Sequence, residues 1–298
     1  MSPDAALQQC RVTFYFYFHD MNFICLDGKF YPAGQSSLKH DNRAFRYGDG
    51  LFETMKMLDS KIILKHLHFE RLFSSLGILK YQLPSFFNEE KLEKEIIQLC
   101  RKNECEKLAR IRFTVFRGHG GLYDENKALN YLIEGWPLNE SVNSLNENGL
   151  IIDLYPDARK SCDPFSNIKS ANFLPYMMAA LHAREYKLND CLVLNTKGNI
   201  ADATIANVFM VREKIILTPA LTEGCINGVM RRWLLQKFKE NGYAFREAII
   251  TEEDLLMADE IFLTNAINGI RWVSRFRNSV YTNELTRKIY NDFVKTIF

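Results

Sequence analysis

The chain has 298 residues, 47% hydrophobic, 13% aromatic and 25% charged, with 38 Lys and Arg against 36 Asp and Glu. A formal net charge of +2 leaves no basic excess to drive phosphate-backbone binding, which removes nucleic acid as the main ligand. The length suits two domains or one large one, and no apolar run is long enough to span a bilayer.

The opening stretch MSPDAALQQCRVTFYFYFHD lacks the basic start, aliphatic stretch and small-residue cleavage site of a secretion signal. Seven cysteines, scattered without a CxxC pair or zinc spacing, suit reduced thiols in a cytoplasmic chain. Residues 1–20, with the aromatic run TFYFYF, are expected to be an extension outside the fold.

From Met21 the pattern is short strands and tight turns. NFICL-DG-KFYPA predicts a hairpin turning at Asp27-Gly28, and ETMKML-DS-KIILK predicts a second. HLHFERLFSSLGIL spaces Leu67, Leu72, Leu76 and Leu79 as on a helix, and NEEKLEKEIIQLCRKN is an amphipathic helix with acids early and bases late. KLARIRFTVFRG and ALNYLIEGW read as strands that close an N-terminal domain over 21–136. PLNESVNSLNENG is poor in large apolar residues and is expected to be a linker over 137–149.

A C-terminal domain over 150–298 follows, with strands GLIIDLYP, DCLVLN, NVFMVR, KIILTP, AIIT and EIFLTN and helices near 171–187, 227–241 and 284–297. Turns at Lys197-Gly198 and Arg212-Glu213 should make its middle strands antiparallel neighbours. Such mixing argues for an α+β fold rather than a doubly wound parallel sheet.

No Walker loop, G-x-G-x-x-G, H-E-x-x-H or nucleophile elbow occurs. Three places remain where chemistry could sit. Lys169, in SNIKSANFLPYMMAALHA, precedes a helix whose inner face is read as Leu174, Met178 and Leu181. Most lysines are solvated, but one held in an apolar site becomes a neutral amine able to form a Schiff base. Asp202, in GNIADATIANVFMV, is read as following a strand and leading into a turn lined by Thr204 and Asn207. It is either a turn aspartate bonding its own backbone or the partner of a protonated ring nitrogen. In TPALTEGCINGVMRRWLLQKF, Gly224 and Gly228 flank a helix start. That is either ordinary helix entry or a phosphate cradle, to which Arg71 could add charge. His66 and His68 are two apart with no third ligand nearby, so no metal site is expected.

An imine-forming lysine, a pyridinium acid and a phosphate cradle are together what pyridoxal phosphate requires. The stretches RAFRYGDGLFETMKM, HLHFERLFSSLGI, RGHGGLY, NIKSANFLPYMMAALHA, GNIADATIANVFMV, TPALTEGCINGVMR and FLTNAINGI also stand in the order seen in fold-type IV (class IV) aminotransferases. From Met21 to the C-terminus the chain resembles that family, which includes branched-chain and D-amino-acid aminotransferases and 4-amino-4-deoxychorismate lyase.

The resemblance implies a two-domain fold, with a smaller N-terminal α/β domain and a larger, mixed-sheet C-terminal domain that binds pyridoxal phosphate. It implies that Lys169 is the Schiff-base and proton-transfer residue, that Asp202 faces the ring nitrogen and that Arg71 binds phosphate. Thr204, Asn207, Gly228, Asn265 and the backbone of Val229 and Met230 would complete the cofactor site. Tyr47, Glu53, Arg117, His119 and Tyr123 would lie near a small amino substrate, and the protein would be a homodimer.

Two departures stand out. Asp202 is one methylene shorter than the family's usual glutamate, and RGHGGLY has leucine where several relatives carry a carboxylate-binding arginine. GCINGVMR and LTNAINGI resemble the lyase versions of their motifs, which tilts the expected activity toward the lyase. An aminotransferase acting on branched-chain or D-amino acids with a 2-oxo acid is the alternative, and a non-catalytic cofactor-binding homologue a more distant one.

Overall fold

In the computed structural model, residues 22–35, 38–125 and 128–298 are described. The expected extension over residues 1–20 lies outside them.

The first sheet begins with the anticipated hairpin. β1 (Phe23–Leu26) and β2 (Lys29–Pro32) pair antiparallel through Asp27 and Gly28, both at positive φ, 50° and 81°. That backbone fits a two-residue turn matched to strand twist. α1 (Arg43–Tyr47), which the sequence reading missed, is a single turn capped by Asn42. β3 (Gly50–Leu58) and a two-residue β4 (Lys61–Ile62) form the second hairpin. α2 (Lys65–Ile78) and α3 (Glu89–Lys102) follow, then β5 (Leu108–Arg117) and β6 (Leu129–Pro137). The order is β2-β1-β6-β5-β3-β4.

α2 and α3 cover one face of this sheet. Leu72, Leu76, Leu92, Ile96 and Leu99 meet Met55, Ile111, Phe113 and Ile133 in one core, each large apolar side chain contributing roughly 1.5–3 kcal/mol on burial. Leu67, near the start of α2, instead joins Phe209, Trp233 and Phe262 in a second core. The helix therefore enters both packing regions, and it carries Arg71 between Leu67 and Leu72.

Residues 138–149 contain one 3-10 turn, Glu140–Asn143, and lead to β7 (Leu150–Lys160). Then come α4 (Leu174–Glu185), β8 (Asp190–Asn195), β9 (Ile200–Ala203), β10 (Asn207–Arg212), β11 (Ile215–Pro219), α5 (Val229–Glu240), β12 (Phe245–Ala248), α6 (Glu252–Leu256), β13 (Glu260–Asn265), β14 (Gly269–Phe276), β15 (Ser279–Val280) and α7 (Glu284–Asp292). The main path is β12-β11-β10-β13-β14-β7-β8-β9, with β15 on β14. Parallel pairs β11–β12, β14–β7 and β7–β8 make the sheet mixed, so the fold is α+β, as expected.

Several sequence readings need correction. Asp202 lies inside β9, because the Lys197-Gly198 turn returns the chain to pair with β8. β12 runs from Phe245 to Ala248 and so ends on the first residue of the expected AIIT strand, its register fixed by parallel pairing with β11. β14 and β15 were not anticipated. α4 buries Tyr176, Ala179 and Ala183. Leu174, Met178 and Leu181, read as its inner face, are exposed.

Candidate active site

A cavity of about 1730 Å³ is walled by both sheets and by residues 138–149. Lys169 enters it from the loop between β7 and α4. The Phe52 N–H donates to the Lys169 carbonyl at 3.0 Å, and the Ala171 N–H to Gly50 O at 2.8 Å. Leu51 and Ser170 make an isolated bridge, so the lysine segment is held against β3. Its Nζ lies 4.4 Å from the Phe52 ring centre and 5.2 Å from that of Phe173. Burial first, then the Arg71 guanidinium, pushes this ammonium down to about 7. A neutral, nucleophilic amine is therefore accessible near neutrality.

Asp202 is 2% exposed and accepts four donors. Lys160 Nζ at 2.9 Å, the Tyr176 hydroxyl at 2.8 Å and the Ile226 N–H at 3.1 Å meet Oδ2, and Asn207 Nδ2 meets Oδ1 at 3.0 Å. Burial and then Asp202 push the Tyr176 phenol well above its usual value, which keeps it a donor. Neither Lys160 nor Tyr176 was singled out by the sequence reading. They arrive through topology: Lys160 pairs with Asn195 on β8, and β8 Val193 pairs with Asp202.

Arg71 donates Nε to Glu53 Oε1 at 2.7 Å and Nη2 to Oε2 at 2.6 Å, and its Nη1 reaches the Asn227 carbonyl at 3.1 Å. His68 Nδ1 lies 2.6 Å from the same carboxylate. Glu53 is thus corrected from a substrate neighbour to a buried anchor for Arg71. Burial alone would raise its carboxyl, but Arg71 and His68 overcome that and hold it at about 2.

Arg71 sits beside the start of α5. That helix begins after Gly228 with no side chain capping it, and Gly228, Val229 and Met230 line the cavity. Uncapped first-turn N–H groups with an adjacent guanidinium make an anion site. Thr264 Oγ1 is buried in the same cavity wall without a hydrogen-bond partner. The residues present therefore fit pyridoxal phosphate, with Lys169 for the aldehyde, Asp202 for the ring nitrogen, and Arg71, the α5 N-terminus and Thr264 for the phosphate.

Other predicted cofactor contacts act at one remove. Thr204 lines the cavity, but its N–H and hydroxyl donate to Asp190 at 3.0 and 2.6 Å. Asn207 spends its amide on Asp202 and on the Ile226 carbonyl. Asn265 Oδ1 accepts the N–H groups of Ile267 and Asn268, closing a turn in the cavity wall. Lys56, also missed, donates to the Ile267 carbonyl at 2.9 Å behind that turn.

Tyr47, Arg117, His119 and Tyr123 are not among the residues that line this cavity. Arg117 is taken up by Asp49 at 2.5 Å, the Leu79 carbonyl and the Tyr81 ring. His119 bridges Asn42, and Tyr123 is 94% exposed. In their place the cavity wall carries Arg110 and Arg112 of β5 and Arg271 of β14. The Arg112 guanidinium lies 3.8 Å from the Phe52 ring centre. Alternation along β5 puts Arg110 and Arg112 on the sheet face opposite Ile111 and Phe113, but nothing local says that this face lines a cavity.

The amino-transferase class IV profile matches residues 50–276. The chain belongs to the class IV aminotransferase family. Pyridoxal phosphate is the family's cofactor, and this member's residues fit it. Relatives of the class IV chain carry different activities in their names. It is 27% identical to a putative branched-chain-amino-acid aminotransferase of Methanocaldococcus jannaschii over 91% of this chain and 94% of that one. It is 26% identical to the aminodeoxychorismate lyase of Vibrio harveyi over 80% and 88%. In fold it matches the Escherichia coli branched-chain aminotransferase with a TM-score of 0.84 at 21% identity, covering 93% of this chain and 95% of that one. A putative 4-amino-4-deoxychorismate lyase from Legionella pneumophila gives 0.78 at 24% identity, over 86% and 94%.

Proposed function

We propose that this class IV enzyme is a 4-amino-4-deoxychorismate lyase, releasing 4-aminobenzoate and pyruvate. The observation that carries the reading is the cavity wall, where Arg110, Arg112 and Arg271 stand among the rings of Phe52, Phe173, Trp136 and Trp272. A cyclohexadiene ring with one carboxylate attached directly and a second on its enol-ether side chain matches that combination of aromatic surface and guanidinium groups. The lyase-like GCINGVMR and LTNAINGI motifs form the start of α5 and the Asn265 turn of the same cavity.

When bound, pyridoxal phosphate supplies a sink for the electron pair left on the substrate's amino-bearing carbon. Arg71 and the α5 N-terminus bind the phosphate, and Asp202 holds the proton at the ring nitrogen. The Lys169 amine, released when substrate binds, takes the proton from that carbon. The ring C–O bond to the side chain then breaks and the ring aromatises, and the departing enolate becomes pyruvate on taking up a proton, which the Lys169 ammonium can return.

Transamination is the second reading, favoured by the long match to the M. jannaschii relative. The two are separated by supplying 4-amino-4-deoxychorismate without any 2-oxo acid and measuring pyruvate. Stoichiometric pyruvate and 4-aminobenzoate are expected. No pyruvate, with turnover of branched-chain or D-amino acids once 2-oxoglutarate is added, would replace the lyase by the aminotransferase.

The working form is a homodimer in this proposal. Phe45, Tyr47, Leu122, Tyr123, Leu174 and Met177 are all exposed, and local contacts draw their segments together. Asn42 bridges His119, Arg43 bonds the Asp124 carbonyl, and Gly48 abuts Asn172. Met177 also lines the cavity. An apolar patch beside an active site suits a second copy of the chain, which could bring His119 and Tyr123 to its neighbour's cavity. Light scattering at micromolar concentration should give twice the chain mass, and Phe45→Asp should lower it. A monomeric wild-type protein would remove this part of the reading.

A further inference from the structure

Asp202 is gripped from two sides. Asn207 and Ile226 line the cavity, whereas Lys160 and Tyr176 are not among its lining residues and hold the carboxylate from behind. A carboxylate offers about four lone-pair sites, and four donors already occupy Asp202. The Ile226 N–H is the one shared between both oxygens, at 3.1 and 3.3 Å, so it is the contact most easily given up to a ring N–H arriving from the cavity. The Lys160 ammonium, 2.9 Å from Oδ2 and almost fully buried with it, stays in place when that happens.

We propose that Lys160 is a positioning residue that shares the charge of Asp202, so that the cofactor's ring nitrogen meets a carboxylate whose field is already partly neutralised. An unshared carboxylate would favour the protonated pyridine strongly. With Lys160 in place the ring nitrogen holds its proton less tightly, and the electron sink is set at an intermediate strength. The charged and titratable groups that face Asp202 are Lys160 on β7, Tyr176 on α4, Cys225 before α5 and Lys169 across the cavity. Lys160 is the cation in direct contact. This inference rests on the family's cofactor and is independent of whether the enzyme is a lyase or an aminotransferase.

The test is nitrogen NMR of the holoenzyme loaded with cofactor isotope-labelled at the ring nitrogen, followed as a function of pH. In Lys160→Met the nitrogen should keep its proton to about tenfold lower proton concentration than in wild type, since one pKa unit is a tenfold change. Lys160→Arg, which preserves the charge, should titrate like wild type. Tyr176→Phe removes only a neutral donor and should shift the transition upward by less, which provides a second readout if Lys160→Met does not fold. An unchanged or lower transition in the variant that folds, or a Lys160→Arg protein displaced as far as Lys160→Met, overturns the proposal.

Discussion

Lys169→Ala is expected to lower kcat by at least about 10³-fold, at the upper end of what a positioned proton-transfer group supplies, while leaving the protein folded and able to bind cofactor non-covalently. The second half of that statement follows from how the site is divided. The Lys169 segment is held to β3 by backbone bonds at Phe52 and Ala171 that the substitution does not touch. The phosphate elements, Arg71 and the start of α5, belong to other parts of the chain. Borohydride should fix the cofactor to wild type and not to the variant.

The same residue sets a pH dependence. With its ammonium lowered to about 7 from the 10.5 of a free lysine, covalent uptake of cofactor by the apo-protein should accelerate as pH rises through about 7. The folded state holds fewer protons than the unfolded chain between about 7 and 10.5, so this group's contribution makes stability rise with pH across that window. An uptake rate that climbs only above pH 9, or a Lys169→Ala protein with wild-type turnover, would remove Lys169 from its role.

Lys169, Asp202 and Arg71 were legible because each lies in a short stretch whose neighbours are as informative as the residue itself. The same holds for the first hairpin, where Asp27-Gly28 carries its own geometry. What the sequence concealed was held by contacts between distant segments. Lys160 is 42 residues from Asp202 and reaches it across β8. Glu53 and Arg71 are 18 residues apart, and only the packing of α2 on β3 joins them. The expected inner face of α4 is the wrong one because its leucines and methionines are on the outside, where Leu174 is 70% exposed. Periodicity assigns the apolar stripe to a core by default. A helix that turns one tyrosine and two alanines inward and leaves its aliphatic face exposed is where that default fails.

Glu53→Leu should be the most destabilising single change in the site, by about 3–5 kcal/mol, because it leaves a buried guanidinium without its counter-charge and a buried imidazole without its hydrogen-bond partner. Glu53 is 1% exposed, and its two oxygens take both Arg71 contacts and the His68 contact. An unfolding free energy from urea titration within about 1 kcal/mol of wild type would show that the carboxylate is not the anchor described. The pH sign is fixed by the direction of its shift. The carboxyl is held at about 2 against 4.5 for a free glutamate, so its stabilisation is complete above about 4.5 and lost as pH falls from there to about 2. Replacing all three partners together, as Glu53→Leu with His68→Leu and Arg71→Leu, should recover most of the stability, since apolar groups of similar volume can substitute for a buried ionic cluster. It should not recover cofactor retention, because the guanidinium beside the α5 N-terminus is gone. Stability regained with retention still lost assigns Glu53 to the fold and Arg71 to the phosphate. Retention regained as well would mean that the start of α5 holds the phosphate without Arg71.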